Sequence, residues 1–486
     1  MKRCLLFLLA VVACAKAQPA YLYKQPPAGT GLDAAVWEAH LRDDLLPYWT
    51  SAEAKGQPLG NFPTWRGMDG SLQGSTDRKP RMLGRQIFAY AAGFMITGDE
   101  SLLDLARAGN RWLLDHGRDT ARGGWYADLD SSGAPSGDAD KLAQDMSYDA
   151  MGPAAFFFVT RDAESEAAVL ATRDLLFDPA RYWDAPHGRI KDGMNAALTA
   201  EAYMGAQGSW ELVAQLDPVT AFLLLVQPVL TDPLRRDQVL GDLRTVATLL
   251  RGAFWKDGIF WGSTGAIGSY GTNHTDFGHI LKAYWALLQI DKRLDDHPLH
   301  DFLAENAPAT LTLALDSTYG RWAKRPTSRT DVAYGSDWWA YAESDQLAAT
   351  LALGDAKWIP IVAGTSQHFR EDYVDRSRAV REVVPSVSRN GSWGYGWGSQ
   401  DTAKCNQWKS GFHTAEHALV MDLFSRWAAA QPAPLYFAFP AAQVQALGQG
   451  ARPYTFLGKV ASVEDLGALV SDPSRHKVRV SFEQLR

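Results

Sequence analysis

The sequence predicts an all-α fold: a closed toroid of helical hairpins with a small β-containing tail. Three observations carry this. From near Leu32 to about Ala430, apolar residues recur at helical spacing between Gly-, Asp- and Trp-rich loops, and β-type alternation is scarce. The helices pair through alternating short and long loops, without the fixed period of an open solenoid. Beyond Ala430, LYFAF and HKVRVSFEQL alternate as strands do.

In chain order, residues 1–17 read as a secretory leader: Lys2 and Arg3, the apolar run LLFLLAVVA, then Ala15-Lys16-Ala17. A second reading takes VVAC as a lipobox, with Cys14 as a lipidated N-terminus. The expected localisation is secreted or periplasmic. Helices are expected over Arg81 to Thr97, Glu100 to His116, Leu142 to Thr160, Glu164 to Phe177, Asp237 to Phe254, Gly278 to Asp291, Asp337 to Leu353, Trp358 to Tyr373 and Gly411 to Ala430. The domain reading is residues 32–430 as a helical catalytic barrel and 431–486 as a structural extension.

Composition narrows the function. Cys405 is the single cysteine outside the leader, so no intramolecular disulfide is expected, and the 46% apolar fraction supplies a large core instead. The formal charge is −7, and −10 once Lys2, Arg3 and Lys16 are removed, which argues against a nucleic-acid partner. No later apolar run reads as a membrane span. No cofactor is expected: the glycines of GSWGYGWG are interleaved with aromatics that block close phosphate approach. No metal is expected, because no His/Cys/Asp cluster has ligand spacing. Trp occurs 18 times, and Trp65, Trp125, Trp183, Trp261, Trp393 and Trp397 fall in loops, where aromatic faces suit an oligo- or polysaccharide. Oligomeric state is not legible.

Chemistry is expected in YGTNHTDFGHILKAYWALL, residues 270–288. A glycine-rich loop carrying Asn273 and His274 runs into an apolar helix whose first turn holds His279 and Lys282. The bland alternative has His274 capping the helix and His279 as a satisfied core residue.

The chain from Lys79 onward resembles the N-acylglucosamine 2-epimerase and cellobiose 2-epimerase superfamily, through several motifs in order. RMLGRQIFAYAAGF looks like the family's arginine-bearing inner helix, with Arg85 at the substrate-binding arginine. GGWYADLDSSGAP matches its Gly-Gly-aromatic loop, and DMSYDAMGPAAFF, with Tyr148, resembles the next inner helix. GHILKAYWALL gives His279 at one catalytic histidine. SDWWAYAES gives Trp338, Trp339 and Glu343, and WKSGFHTAEHAL gives His413. The resemblance implies an (α/α)6 barrel. It also implies chemistry in which one histidine removes a proton α to a carbonyl and another returns one.

Three positions depart from that pattern: Lys282 stands for glutamate, Asp217 for histidine and Glu416 for arginine. A cation near His279 turns the first functional reading toward a secreted lyase of alginate- or glucuronan-type uronans, which removes the C5 proton and expels the 4-linked sugar. In that reading Arg329 neutralises the uronate carboxylate and Tyr334, with His274 or His279, moves the proton; Arg321, Lys324 and Arg325 add charge. The same basic residues also suit a solvated loop. The second reading is a sugar 2-epimerase or isomerase, followed by a hydrolase using a pair among Asp217, Glu343 and Glu416 or a catalytically inert sugar-binding barrel.

Overall fold

The computed structural model describes residues 21–394 and 402–486. The leader and Trp397 lie outside them. Helix α1 spans 34–49 with a π turn at His40–Leu45, α2 is Pro80–Thr97 and α3 Glu100–His116. Then come α4, Ala143–Thr160, α5, Ala163–Leu176, and α6, 212–226. After these, α7 is 233–254, α8 Phe277–Asp291 and α9 His300–Ala314. The set ends with α10, Trp338–Ala352, α11, 356–373, and α12, Phe412–Ala428.

Burial sorts these helices into two rings. The even-numbered ones are covered on nearly all sides: every residue of α2 from Pro80 to Ile96 is buried. An odd-numbered helix buries one stripe, as α7 does over Pro233–Leu249 with Val239, Leu243, Val246 and Ala247, the spacing of a helix with one face on a core. Inner helices pack on their neighbours in order, and α12 packs back on α2 to close the ring. The fold is an (α/α)6 toroid. Leu212–Val229 is long and apolar enough to cross a membrane, but 94% of it is buried in this ring.

Successive helices reverse direction, so all six inner helices start at the same end. Asp99, Asp162 and Asp232 cap the outer helices α3, α5 and α7 at the other end, whereas Asp276 sharpens an inner start, that of α8, by accepting from the His279 backbone N–H. Short antiparallel ladders pin the long loops there, including Lys141–Leu142 on Gly193–Met194 and Ser336–Asp337 on Ser386–Val387.

At the other end sits the tail sheet. Strands β1, Ala433–Pro440, β2, Lys459–Ala468, and β3, Arg475–Glu483, pair antiparallel in the order β1-β3-β2. β1 packs on α2, α4 and α12, with Tyr436 against Gly98 at the C-cap of α2. The six inner helices are thus open at their starts, while the sheet covers part of the far end.

Two of the loop tryptophans are not sugar platforms: Trp125 and Trp261 are 1% and 2% exposed and belong to the core. Trp393 is exposed.

One glycine decides how closely α2 and α4 approach. A Cβ on Gly84 would stand 2.1 Å from the Tyr148 carbonyl oxygen, so only glycine lets the helices meet there. Gly84→Ala is expected to destabilise the fold by ~1–3 kcal/mol through overpacking. Gly241→Ala, on the exposed face of α7 with open space around it, is expected to stabilise by ~0.5–1 kcal/mol. Urea titration of both variants checks the pair, and equal effects would contradict the packing argument.

Candidate active site

The close approach at Gly84 places the first polar groups. On α2, Arg81 and Arg85 are one turn apart and face Gln144, Asp145 and Tyr148 of α4. Arg81 pairs with Asp145, and the Arg85 guanidinium lies 3.6 Å above the Tyr148 ring. Arg85 donates to the Trp408 carbonyl at 3.1 Å, and its Nε is buried with no acceptor among the described residues.

These groups open into a cavity of about 260 Å³, lined also by His274, Asp276, His279, Lys282, Asp337, Trp338, Trp339, Trp408 and His413. The lining side chains come from the starts of five inner helices and the loops before them. Helix N-termini point their unpaired N–H groups and positive dipole ends here, which favours negative charge developing on a bound molecule.

His279 is fixed by its own helix cap. Asp276 accepts from the His279 backbone N–H at 3.0 Å through Oδ1 and lies 2.8 Å from His279 Nδ1 through Oδ2. Burial opposes the Asp276 charge, but the His279 contacts outweigh it and hold the carboxyl below its usual range. An ionised Asp276 can only accept, so His279 donates through Nδ1–H and Nε2 is left as the free nitrogen. Asp276, and not His274, is the cap. A Cβ on Gly278 would lie 2.3 Å from the Trp339 ring, so the glycine beside His279 lets Trp339 pack with its ring centroid 4.7 Å from that imidazole.

Lys282, one turn further along α8, is buried between two partners. Its ammonium donates to Asp217 at 2.8 Å and to the Tyr148 hydroxyl at 3.2 Å, while Gln144 donates to the other Asp217 oxygen at 2.8 Å. Burial works against both charges. Asp217 nevertheless raises the Lys282 pKa, and Lys282 holds Asp217 down to about 2. Asp217 is followed by Pro218 and a π turn at Val219–Leu223. Proline removes a helical N–H there and loosens the ladder beside the pair.

Deeper in the barrel lies a cluster of acids. His413 Nδ1 is 3.3 Å from Glu343 Oε1, without the alignment of a ring N–H hydrogen bond. Donor atoms of Glu343, His413 and Glu416 lie within 4.8 Å of one another, and the Tyr454 hydroxyl, from the tail, donates to Glu416. Burial first, then the Lys282 and Arg85 charges, push His413 well below the histidine range, so it is neutral. Burial raises Glu343 to about 7, and burial with the nearby Glu343 raises Glu416 to about 8. Burial thus drives both carboxyls toward their neutral forms, and the cluster shares protons.

Of the residues singled out from the sequence, Arg85, Tyr148, His274, His279, Lys282, Trp338, Trp339 and His413 line this cavity, and Glu343 stands behind His413. His274 adopts φ +58° and sits 3.1 Å from Glu211. Burial lowers its affinity for a proton, but Glu211 and Asp276 outweigh that and raise its pKa.

Three expectations fail. Asn273 is exposed, and its carbonyl packs against Gly262. Arg329 is exposed and pairs with Asp257. Tyr334 is 46% exposed and lies under the Arg389 guanidinium, 3.5 Å from its ring centroid, in a different crevice. The hairpin of Arg325–Pro326 with Val332–Ala333 carries this stretch outward. Sequence reasoning missed Arg81, Gln144, Asp276, Trp408 and Tyr454. Asp276 had a legible signal, an aspartate three residues before His279 at a helix start; Tyr454 had none.

The family profile described as N-acylglucosamine 2-epimerase matches residues 60–216, the stretch that carries Arg81, Arg85, Gln144 and Tyr148. Over that stretch the chain is similar to the N-acylglucosamine 2-epimerase family. Cellobiose 2-epimerase of Eubacterium cellulosolvens is 21% identical over 413 residues, 78% of this chain and 95% of that enzyme. Cellobiose 2-epimerase of Bacteroides fragilis is 26% identical over 164 residues; that match spans 34% of this chain and only 40% of the relative's length. The structure of cellobiose 2-epimerase from Spirochaeta thermophila superposes with a TM-score of 0.68 at 18% identity, covering 81% of this chain and 96% of that one, and so shares the fold. This likeness fits an enzyme acting on sugars.

The acid cluster has a consequence for stability. The unfolded chain loses the Glu343 and Glu416 protons near 4.5, whereas the fold retains them to about 7 and about 8. Stability from this pair is therefore fully present below pH about 4.5 and is lost as pH rises to about 8. Glu343→Gln is expected to flatten the fall between pH 5 and 8 in urea titrations, and an unchanged slope would contradict the burial argument.

Proposed function

We propose that this protein is a sugar 2-epimerase or aldose–ketose isomerase acting on a neutral reducing mono- or disaccharide, with His279 and His413 as the proton-transfer pair. One observation carries the reading: two imidazoles from different inner helices open into one cavity, each with a carboxyl group at Nδ1. For the open-chain aldose, one imidazole removes the C2 proton and the electron pair moves to the C1 oxygen, giving an enediolate. Arg85, without a carboxylate partner among the described residues and aimed into the cavity, supports stabilising that oxygen, and the helix starts add to it. The second imidazole returns a proton to the opposite face of C2 and gives the epimer; return at C1 gives the ketose. Trp339 and Trp408 offer the aromatic faces against which sugar rings pack.

The uronan-lyase reading loses its support. It relied on Lys282 as a free cation, on Tyr334 as a base and on Arg329 as the carboxylate clamp. Lys282 is already neutralised by Asp217, and the other two lie outside the cavity. The leader pattern in residues 1–17 supports work in an exported compartment.

Epimerisation of a panel of reducing sugars, followed by NMR, tests the reading. His279→Asn and His413→Asn are each expected to lose at least ~100-fold in turnover, while Tyr334→Phe stays near wild type. Release of unsaturated uronate from a uronan, with no epimer formed from any sugar, would overturn it.

A further inference from the structure

At the end of the barrel away from the histidines lies a second cavity of about 320 Å³, larger than the first and sharing no lining residue with it. Its walls are mainly apolar: Leu288 of α8, Leu303 and Pro308 of α9, Leu351 of α10 and Trp358 of α11. Two lysines are set into those walls, and they are satisfied differently. Lys24 Nζ donates to the Gly354 carbonyl at 2.5 Å, the ordinary way a lysine meets the carbonyls left free beyond a helix C-terminus. Lys292 is itself the C-cap residue of α8, yet among the described residues its ammonium bonds no carbonyl and pairs with no carboxylate. It lies 5.7 Å from the centre of the Tyr21 ring instead.

The nearby acids are already taken. Asp291 accepts from the Tyr21 hydroxyl at 2.6 Å and from the Leu299 N–H at 2.8 Å. Asp355 caps the start of α11 through the Lys357 N–H and pairs with the Lys357 ammonium at 2.7 Å. Burial, together with the Arg293 and Arg486 charges, makes Lys292 hold its proton less tightly than an ordinary lysine does. A second donor is left over in the same cavity: His300 Nδ1 is buried without a partner among the described residues, and α9 begins there without a side-chain cap.

Unpaired donors beside an apolar wall define the missing ligand. A carboxylate head accepts from an ammonium and an imidazole N–H at once, and an alkyl chain covers the apolar surface. A sugar would leave its hydroxyls unbonded against these walls, and inorganic phosphate would leave the walls bare. The volume stands at the small end of the ~300–1,000 Å³ typical of ligand pockets, room for one chain and not two.

We propose that this cavity binds a single-chain aliphatic monocarboxylate, with its head on Lys292 and His300 and its chain along Leu288, Leu303, Leu351 and Trp358. The site goes beyond the proposed function and does not depend on it.

Calorimetry on the full chain, with acetate, hexanoate, octanoate, decanoate and decan-1-ol as the probes, tests this. Decanoate is expected to bind one to one, with affinity rising about fourfold per methylene from hexanoate to octanoate. Decan-1-ol, which lacks the charge, is expected to bind at least ~10-fold more weakly than decanoate. Lys292→Met is expected to weaken decanoate by at least ~10-fold without lowering the melting temperature, since it removes an unpaired charge. Ala304→Trp, at an exposed position of α9 lining the cavity, is expected to fill the space and abolish binding. The proposal is overturned if decanoate gives no binding heat, if decan-1-ol binds as well as decanoate, if acetate binds as well as octanoate, or if both variants bind decanoate like the wild type.

Discussion

The Lys282 ammonium, bonded to Asp217 in the middle of the inner ring, sets the electrostatic conditions for the groups around it. A buried ion pair stabilises little relative to apolar packing, because desolvation consumes most of the attraction, yet removing one partner costs about 3–5 kcal/mol since the other charge stays behind. The pair is therefore a constraint more than a source of stability. It ties Gln144 of α4 to α6 and Tyr148 of α4 to α8, and its ammonium contributes to the low proton affinity of His413. The resemblance drawn from the sequence implies glutamate and histidine at these two positions. Here acidic and basic residues have exchanged places, and the contact between the two helices joins opposite charges. Two departures that look independent along the sequence are one interaction in space.

Around that constraint the toroid does one geometric job. Helices that alternate in direction bring every inner N-terminus to one end, so short-range signals scattered along the chain become neighbours. Arg85 on α2, Tyr148 on α4, His279 on α8, Trp338 on α10 and His413 on α12 line one cavity. The long loops carry the partners that tune them, such as Asp276 at His279 and Trp408 at Arg85.

Much of this was legible, and the failures share a cause. Helices with strong apolar periodicity, such as Glu100–His116, were read to the residue. His300–Ala314 was not, because Pro308 interrupts its pattern, and β2 was not, because its strand is largely exposed and lacks a buried alternation. In the site, the motif histidines and tryptophans were found where the reasoning put them. Tyr334 and Arg329 were assigned to the cavity from nearness in sequence to Trp338, but Arg329 lies in the turn of a short hairpin and Tyr334 directly after it, and the hairpin turns that stretch outward. Lys282 was found but read as a free cation, since its partner Asp217 lies 65 residues away. Tyr454 reaches Glu416 across the boundary between tail and barrel, a contact that no local pattern encodes.

The central claim is that a carbon-bound proton is lifted by one imidazole and replaced by another across a single cavity. Turnover of a reducing sugar in heavy water tests this most directly. The account predicts an epimer carrying one deuteron at C2 from the first turnover, because the group that returns the proton is not the group that removed it. An epimer that keeps its original C2 proton would contradict it.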